Sequence, residues 1–349
     1  MLAKLVPDIP PGLYYEPKWD GFRAIVVRDG DSVELHSRNG KPMARYFPDL
    51  VAALKSQLPE RCTLDGEIVV ITGDRLDFWS LQQRVHPAAS RVDRLAAETP
   101  ASFIAFDLLD APERPFRERR AALEALGLSA PLYVTPITRD ERVAREWFER
   151  FEGAGLDGVI AKDGELPYRP GVRAMFKVKH QRTVDCVIAG YRLHKSAHGA
   201  IGSLLLGLYQ DGHGPEWATM FGGLVPIGAT ASFPMERRRE LLRELRPLEI
   251  PIADHPWKGA EEHAALGNRW NPAREQQFVA LSPERVIEVA YTHMDGGFFR
   301  HPATFVRWRD DRDPESCGFA QLERPVNFDV AEVLSHLNTS GVVPLNNRT

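Results

Sequence analysis

Cysteine is scarce in this 349-residue chain, with Cys62, Cys186 and Cys317 the only three. The number is odd and the spacings are wide, so neither a disulfide framework nor a four-thiolate zinc site follows from them. A reducing, cytoplasmic setting fits that pattern. Long hydrophobic runs are missing as well. No stretch approaches the roughly 18 apolar residues of a membrane span, so no membrane is expected as a partner. The opening Met1-Leu2-Ala3-Lys4-Leu5-Val6-Pro7 meets proline too early for a signal peptide. The eleven histidines have no cysteine partner, and no zinc is assigned. Positive charge is not in excess either. The formal net charge is −4, with 27 basic and 27 acidic residues before Thr183 and 17 and 21 after it. That balance argues mildly against a nucleic-acid coat protein. A DNA-binding face would have to be assembled by folding.

What is present begins with Tyr15-Glu16-Pro17-Lys18-Trp19-Asp20-Gly21-Phe22-Arg23. It places an amine, a carboxylate and a guanidinium around one short turn. An amine beside other cations and a phosphate can act as a nucleophile, because nearby positive charge disfavours the ammonium form. Gly21 allows close backbone approach. Arg23 offers a planar fork of donors to phosphate or ribose oxygens. An exposed charged turn would carry the same letters, so the rest of the chain must decide.

The apolar patterning predicts an α+β protein. Runs at 24–27 and 33–37 flank Arg28-Asp29-Gly30-Asp31, a hairpin signal. Lys18 is then expected just before the first strand of that pair. Further strands are expected over 64–71, 102–109, 159–162 and 174–179, with helices over 47–57, 77–85, 118–126 and 142–152. Beyond a linker at 179–185 the character changes. Strands over 184–192, 203–209, 216–221 and 285–291 and one helix over 235–245 fit a small Greek-key barrel such as the OB-fold. The tail after Pro325 is expected to pack on that barrel. The division is therefore 1–182 and 183–349.

Several constellations carry chemistry. In Leu64-Asp65-Gly66-Glu67, the two carboxylates share one face of a strand and invite a cation. In Phe176-Lys177-Val178-Lys179, two ammonium groups point into one space, which suits an anion between them. Lysines guarding an edge strand would look alike. Phe106, within Phe103-Ile104-Ala105-Phe106-Asp107, reads by itself as core. The Arg117, Arg119, Arg120 cluster reads as a solvated helix face. Arg237–Arg239 reads as surface or as a phosphate contact.

Lys18-x-Asp20-Gly21-x-Arg23 resembles motif I of the covalent nucleotidyltransferases, the DNA ligases, RNA ligases and mRNA capping enzymes. The other segments resemble that family's motifs in order. Ser37-Arg38-Asn39-Gly40 resembles motif Ia, and Leu64-Asp65-Gly66-Glu67 resembles motif III. Phe103–Leu109 resembles motif IIIa, and Asp157-Gly158-Val159-Ile160-Ala161-Lys162 resembles motif IV, with Asp where Glu is usual. Phe176–Lys179 resembles motif V. Arg309-Asp310-Asp311-Arg312 resembles motif VI, with Arg for the usual Lys.

The resemblance is nearest to small bacterial ATP-dependent DNA ligases of the repair type. It implies an adenylation (nucleotidyltransferase) domain with antiparallel sheets and flanking helices, followed by an OB-fold domain. It implies Lys18 as the residue that carries AMP, with Arg309, Asp311 and Arg312 acting on the pyrophosphate. It implies ATP contacts from Glu16, Arg23, Arg38, Glu67, Phe106, Lys162, Lys177 and Lys179, with Glu16 on the adenine amine and Phe106 stacked on the purine. It implies Mg²⁺ or Mn²⁺ at Glu67 and Asp157. The expected partners are nicked double-stranded DNA, ATP and other repair proteins, met by a monomer in the bacterial nucleoid. An RNA ligase or a GTP-using capping enzyme remains open, separable by purine choice and nick type. So do a non-catalytic nucleic-acid-binding module and an interaction scaffold, neither of which would form a covalent adenylate.

Overall fold

The strand that organises the first half is long and doubly paired. The computed structural model describes residues 1–221, 223–258, 277–323 and 325–335. In chain order the first half supplies β1 (Leu2–Leu5), β2 (Tyr14–Pro17), β3 (Phe22–Asp29), β4 (Ser32–Ser37), α1 (Pro48–Gln57) and β5 (Arg61–Thr72). These are followed by β6 (Arg75–Leu76), α2 (Phe78–Gln83), α3 (Ala89–Glu98), β7 (Ala101–Leu108) and α4 (Phe116–Glu124). Then come β8 (Leu132–Val134), α5 (Glu141–Arg150), β9 (Val159–Lys162) and β10 (Arg173–Val178). One sheet runs β4-β3-β5-β7-β8, with β6 paired to β5; the other runs β1-β10-β9-β2. The β3–β4 hairpin turns through Gly30-Asp31, with Gly30 at φ +57, as its Asp-Gly signal predicts.

Local chemistry sets the helix ends. Pro48 opens α1 with its φ already fixed, and Leu50 and Leu54, four apart, are its buried residues. Asp77 and Asp140 cap α2 and α5 by accepting from the amides of Ser80 and Arg142. Ala24, Val26, Leu64, Ile68, Phe103 and Ala105 form the core against α1.

The second half gives β11 (Arg182–Leu193), β12 (Ile201–Tyr209), β13 (Leu224–Thr230), α6 (Met235–Leu245) and β14 (Val279–Ala280). It continues with β15 (Val286–Tyr291), β16 (Met294–Asp295), β17 (Phe298–Phe299) and β18 (Thr304–Trp308). Its main sheet is ordered β13-β12-β11-β15-β18, antiparallel throughout, with β14 on β11. A bridge between Thr230 and Ala303 brings its two edges together. Among the described residues no helix is long and apolar enough to cross a membrane.

The structure corrects several expectations. Residues 216–221 form a 3₁₀ turn, Glu216–Met220, after Pro215; the Thr219 hydroxyl donates back to the Glu216 carbonyl at 2.9 Å. The strand there is β13, which the pattern missed because Pro226 interrupts it. Proline is tolerated because β13 lies on the edge of the main sheet's pairing order, opposite a register shift at Leu206/Gly207. Lys18 precedes the β3–β4 hairpin as expected, in the turn that follows β2. Arg119 and Arg120 are buried. Arg238 is not plain surface, since its guanidinium donates to the carbonyls of Phe233 and Ile201.

Two compact units result: 1–179 together with the chain from Pro325, and 180–323. The tail therefore joins the first unit, not the β-rich one. Its helix α7 (Val330–Ser335) buries Val330 and Val333 with Phe328 in a cluster that holds Trp19, Trp147 and Phe151. The Val330 amide donates to the Asp74 carbonyl at 2.7 Å, and the Phe328 and Phe151 rings lie 5.2 Å apart. Apolar side chains with this much to bury go to the nearest unfilled core, whatever their distance along the chain. The last residues, 336–349, lie outside the described residues. Phe328→Ala is expected to destabilise the first unit by about 3 kcal/mol and to leave the second unit's unfolding unchanged, as read by two-transition calorimetry.

Candidate active site

Two backbone hydrogen bonds fix the turn after β2. The Lys18 amide donates to the Gly158 carbonyl and the Asp157 amide donates to the Lys18 carbonyl, both at 2.8 Å. Gly158 has φ +121, and a Cβ there would lie 2.0 Å from the Val178 carbonyl oxygen, so only glycine fits. Gly21 is equally constrained, with a Cβ falling 2.1 Å from the Ile68 carbonyl oxygen. Its close approach is thus to β5 and holds the turn on the sheet. Trp19 is buried beneath, its indole donating to Thr135 Oγ1 at 2.8 Å.

This frame aims Lys18 Nζ at the buried Asp157 carboxylate. Lys179 Nζ reaches the same Asp157 oxygen, at 2.6 Å. Of the two lysines of Phe176–Lys179 that were expected to face an anion, Lys179 meets one in the protein itself, Asp157. It sits at the turn into β9, which pairs with β10. Lys177 is held below its ordinary pKa, by burial first and then by the charges of Lys179 and Lys18; Arg38, in the turn after β4, adds to this.

Lys18 reverses the sequence expectation. Burial works against its charge, but Asp157, then Asp20 and Glu67, override it and hold the ammonium above its ordinary pKa. Glu67 is pushed up to about 8, by burial first, with Lys18 opposing and Asp20 adding. Its unfolded form ionises near 4.5 while the folded form keeps the proton to about 8. Stability from this group is therefore present at low pH and lost as pH rises through that window. In protein freed of nucleotide and divalent metal, Glu67→Gln is expected to melt above the parent near pH 8. The gap should close towards about pH 4.5; parallel melting curves at every pH would contradict this.

Asp65 and Glu67 lie on one strand as expected, but the cation that Asp65 receives is Arg23. Arg23 Nε and Nη2 meet the two Asp65 oxygens at 2.9 and 2.6 Å, and Nη1 donates to the Met1 carbonyl. The fork expected to hold phosphate or ribose is closed on protein oxygens. Tyr168 donates to the same carboxylate at 2.8 Å. Phe106 is half-buried on β7, with the Arg23 guanidinium 5.7 Å and Lys162 Nζ 5.0 Å from its ring centre.

Glu16 and Lys162 are diagonal neighbours on paired β2 and β9, and their charged atoms meet at 2.6 Å. Arg120 reaches Glu16 from α4 at 3.4 Å, and Arg119 pairs with Asp107 through two bonds, 2.8 and 2.9 Å. These arginines were missed as site residues. The signal was available: Phe116, Arg119, Arg120 and Leu123 recur at i, i+3, i+4, i+7 and are the buried face of α4.

In the second unit, Arg309 Nη1 pairs with Asp185 at 2.7 Å and its Nε with Asp311 at 2.9 Å. Arg312 Nε lies 3.7 Å from Asp185 and Nη2 donates to the Ser316 carbonyl at 3.2 Å. Arg309 follows β18, so Arg307 on the strand pairs with Glu288 instead. Asp311 is held below its ordinary pKa by its bond to Arg309.

Among the described residues, no group of three or more His, Cys, Asp and Glu side chains is arranged to hold a metal. His194 and His198 stand four apart, but in an irregular loop where His194 Nδ1 accepts from the Ser196 and Ala197 amides. Glu67 and Asp157 offer oxygen only, the donor type that magnesium or manganese takes, and a triphosphate would complete the set. That donor chemistry fits the ion.

Comparison with known proteins gives the family. The family model described as "ATP dependent DNA ligase domain" matches residues 1–179, and that of the "ATP dependent DNA ligase C terminal region" matches 197–312. The chain is 54% identical to DNA ligase C of Mycobacterium tuberculosis, over 97% of each chain. It is 55% identical to DNA ligase C2 of Mycolicibacterium smegmatis, over 93% of this chain and 94% of that one. A solved Lig E DNA ligase superposes with a TM-score of 0.56 at 17% identity, covering 88% of this chain and 99% of that one, which shows the shared fold. The chain belongs to the ATP-dependent DNA ligase family.

Proposed function

We propose that this ligase seals nicks in duplex DNA through a lysine-bound AMP on Lys18. One observation carries the reading: Lys18 and Lys179 converge on one buried carboxylate, with Lys177 beside them and electrostatically strained by both. A triphosphate would bring this cluster of cations further negative charge.

Lys18 Nζ would form a bond to the α-phosphorus of ATP as the bond to the pyrophosphate oxygen breaks. Lys177 and Lys179 would take up the negative charge that develops on the α-phosphate. Phe106 would carry the purine, Glu16 and Lys162 would meet its edge, and Arg23 would act indirectly by holding Asp65 and flanking Phe106. Arg38 would add charge towards the phosphates or the nick. Glu67 and Asp157 would hold a magnesium or manganese ion, which would supply positive charge at the phosphates, and Asp157 so engaged would no longer pair with the Lys18 ammonium. Lys18 must lose its proton before attack, so the charge that Asp157 places on it is what nucleotide loading has to relieve.

The second unit would close as an OB-fold barrel, supported by the Thr230–Ala303 bridge between its edges. Arg309, Asp311 and Arg312 would then be brought to the pyrophosphate by domain closure. AMP would pass to the 5′-phosphate of a nick, and the 3′-hydroxyl would displace it. Binding to nicked DNA would rest on phosphate contacts and weaken with salt. The protein would work as a monomer in DNA repair. Incubation with α-labelled ATP, GTP and NAD in parallel tests the reading, followed by nicked DNA against nicked RNA. Label from ATP alone and sealing of DNA are expected; label from none would end it.

A further inference from the structure

A buried charge network surrounds Glu16 on β2. Glu16 is 2% exposed, and two cations from separate elements hold it: Lys162 from β9 at 2.6 Å and Arg120 from α4 at 3.4 Å. Arg120 is itself buried and preset. Its Nε bonds Glu124 at 2.8 Å and its Nη2 the Thr135 carbonyl at 2.6 Å, which leaves Nη1 directed at Glu16. Thr135 also receives the indole of Trp19, so the same residue ties Arg120 to the turn that carries Lys18. Asp107, on β7, faces Glu16 with negative charge and is paired with Arg119.

An ionised carboxylate only accepts hydrogen bonds, whereas a protonated one can also donate. Its two oxygens offer about four acceptor positions, of which Lys162 and Arg120 fill one on each oxygen. The remaining positions can receive an exocyclic amine. They would repel a carbonyl oxygen at that place, unless the carboxyl held a proton.

We propose that Arg120 is a specificity-determining positioning residue, which keeps Glu16 ionised and aimed so that the pocket takes a 6-amino purine nucleotide and rejects a 6-oxo one. This rests on the reading that Glu16 meets the purine edge. Burial pushes the Glu16 carboxyl above its ordinary range, Lys162 and Arg120 pull against that, and Asp107 adds to the rise. Removing Arg120 takes away one of the two restraints. The proton then stays on Glu16 to higher pH, and the rejection of a carbonyl fades in the pH range where it was complete.

The test uses the full-length enzyme and measures Lys18 labelling from α-labelled ATP and GTP over a pH series running from the acidic to the alkaline side of neutrality, since burial raises the Glu16 carboxyl. Arg120→Gln is expected to lose about tenfold of the ATP-over-GTP preference at neutral pH, the size of one lost charge-assisted hydrogen bond. The preference should return towards the alkaline end. Arg120→Lys, which keeps the charge, should retain most of it. An Arg120→Gln enzyme whose preference is unchanged, or reduced equally at every pH, overturns the proposal. Glu16→Gln separates the two levels: if it leaves the preference intact, Glu16 does not meet the purine and the underlying reading fails. If Glu16→Gln collapses the preference and Arg120→Gln does not, only the role of Arg120 fails. Should Arg120→Gln not fold, the parent enzyme decides, because its own preference must fall on acidification and a flat profile refutes the inference.

Discussion

Exchange of Lys18 for alanine is expected to abolish covalent labelling from ATP, a loss on the order of 10⁶ in rate, as for other covalent nucleophiles. The fold should survive. The Lys18 backbone makes the two hydrogen bonds that hold the turn, and its side chain pairs with Asp157. Lys179 still neutralises Asp157 in the variant. Lys18→Ala should nevertheless seal a nick that already carries AMP, since that step needs no lysine nucleophile. Label retained on the alanine variant would place the nucleophile elsewhere. Loss of pre-adenylated sealing together with labelling would indicate collapse of the pocket instead.

The second large effect concerns Arg309. Arg309→Ala is expected to slow self-adenylation by roughly 10² to 10³, the usual cost of one preorganised charge donor. Sealing of a pre-adenylated nick should fall far less, because no pyrophosphate departs in that step. The variant removes the short Asp185 contact and leaves the longer one to Arg312. A thermal melt of the second unit therefore accompanies the kinetics, and Arg309→Lys provides the charge without the fork. Equal loss in both reactions would contradict a leaving-group role.

Both predictions concern residues that could be picked out from the sequence. Short motifs remain legible because their chemistry depends on residues a few positions apart. Lys18, Asp20, Gly21 and Arg23 stand in one turn, and Asp65 and Glu67 on one strand. What those motifs do to one another was less legible. Asp157 is 139 positions from Lys18, and nothing local says that its carboxylate will hold the lysine's proton rather than wait for a metal. Arg23 was read as a phosphate fork, but β3 and β5 pair so that Arg23 stands opposite Glu67, within reach of Asp65. Arg119 and Arg120 of α4 looked solvated because charge suggests exposure, as it does correctly for Arg117. Burial was possible because Asp107 and Glu16 arrive from two different strands to meet them.

By itself, the sequence determined the family, the order of its motifs and most of the strands and helices between them, since periodicity and turn residues act over a few positions. Only the tertiary structure decided which charges neutralise each other and where the tail packs. Those outcomes depend on strand register and on which apolar surface is left to cover, and both are set by segments far apart in the chain.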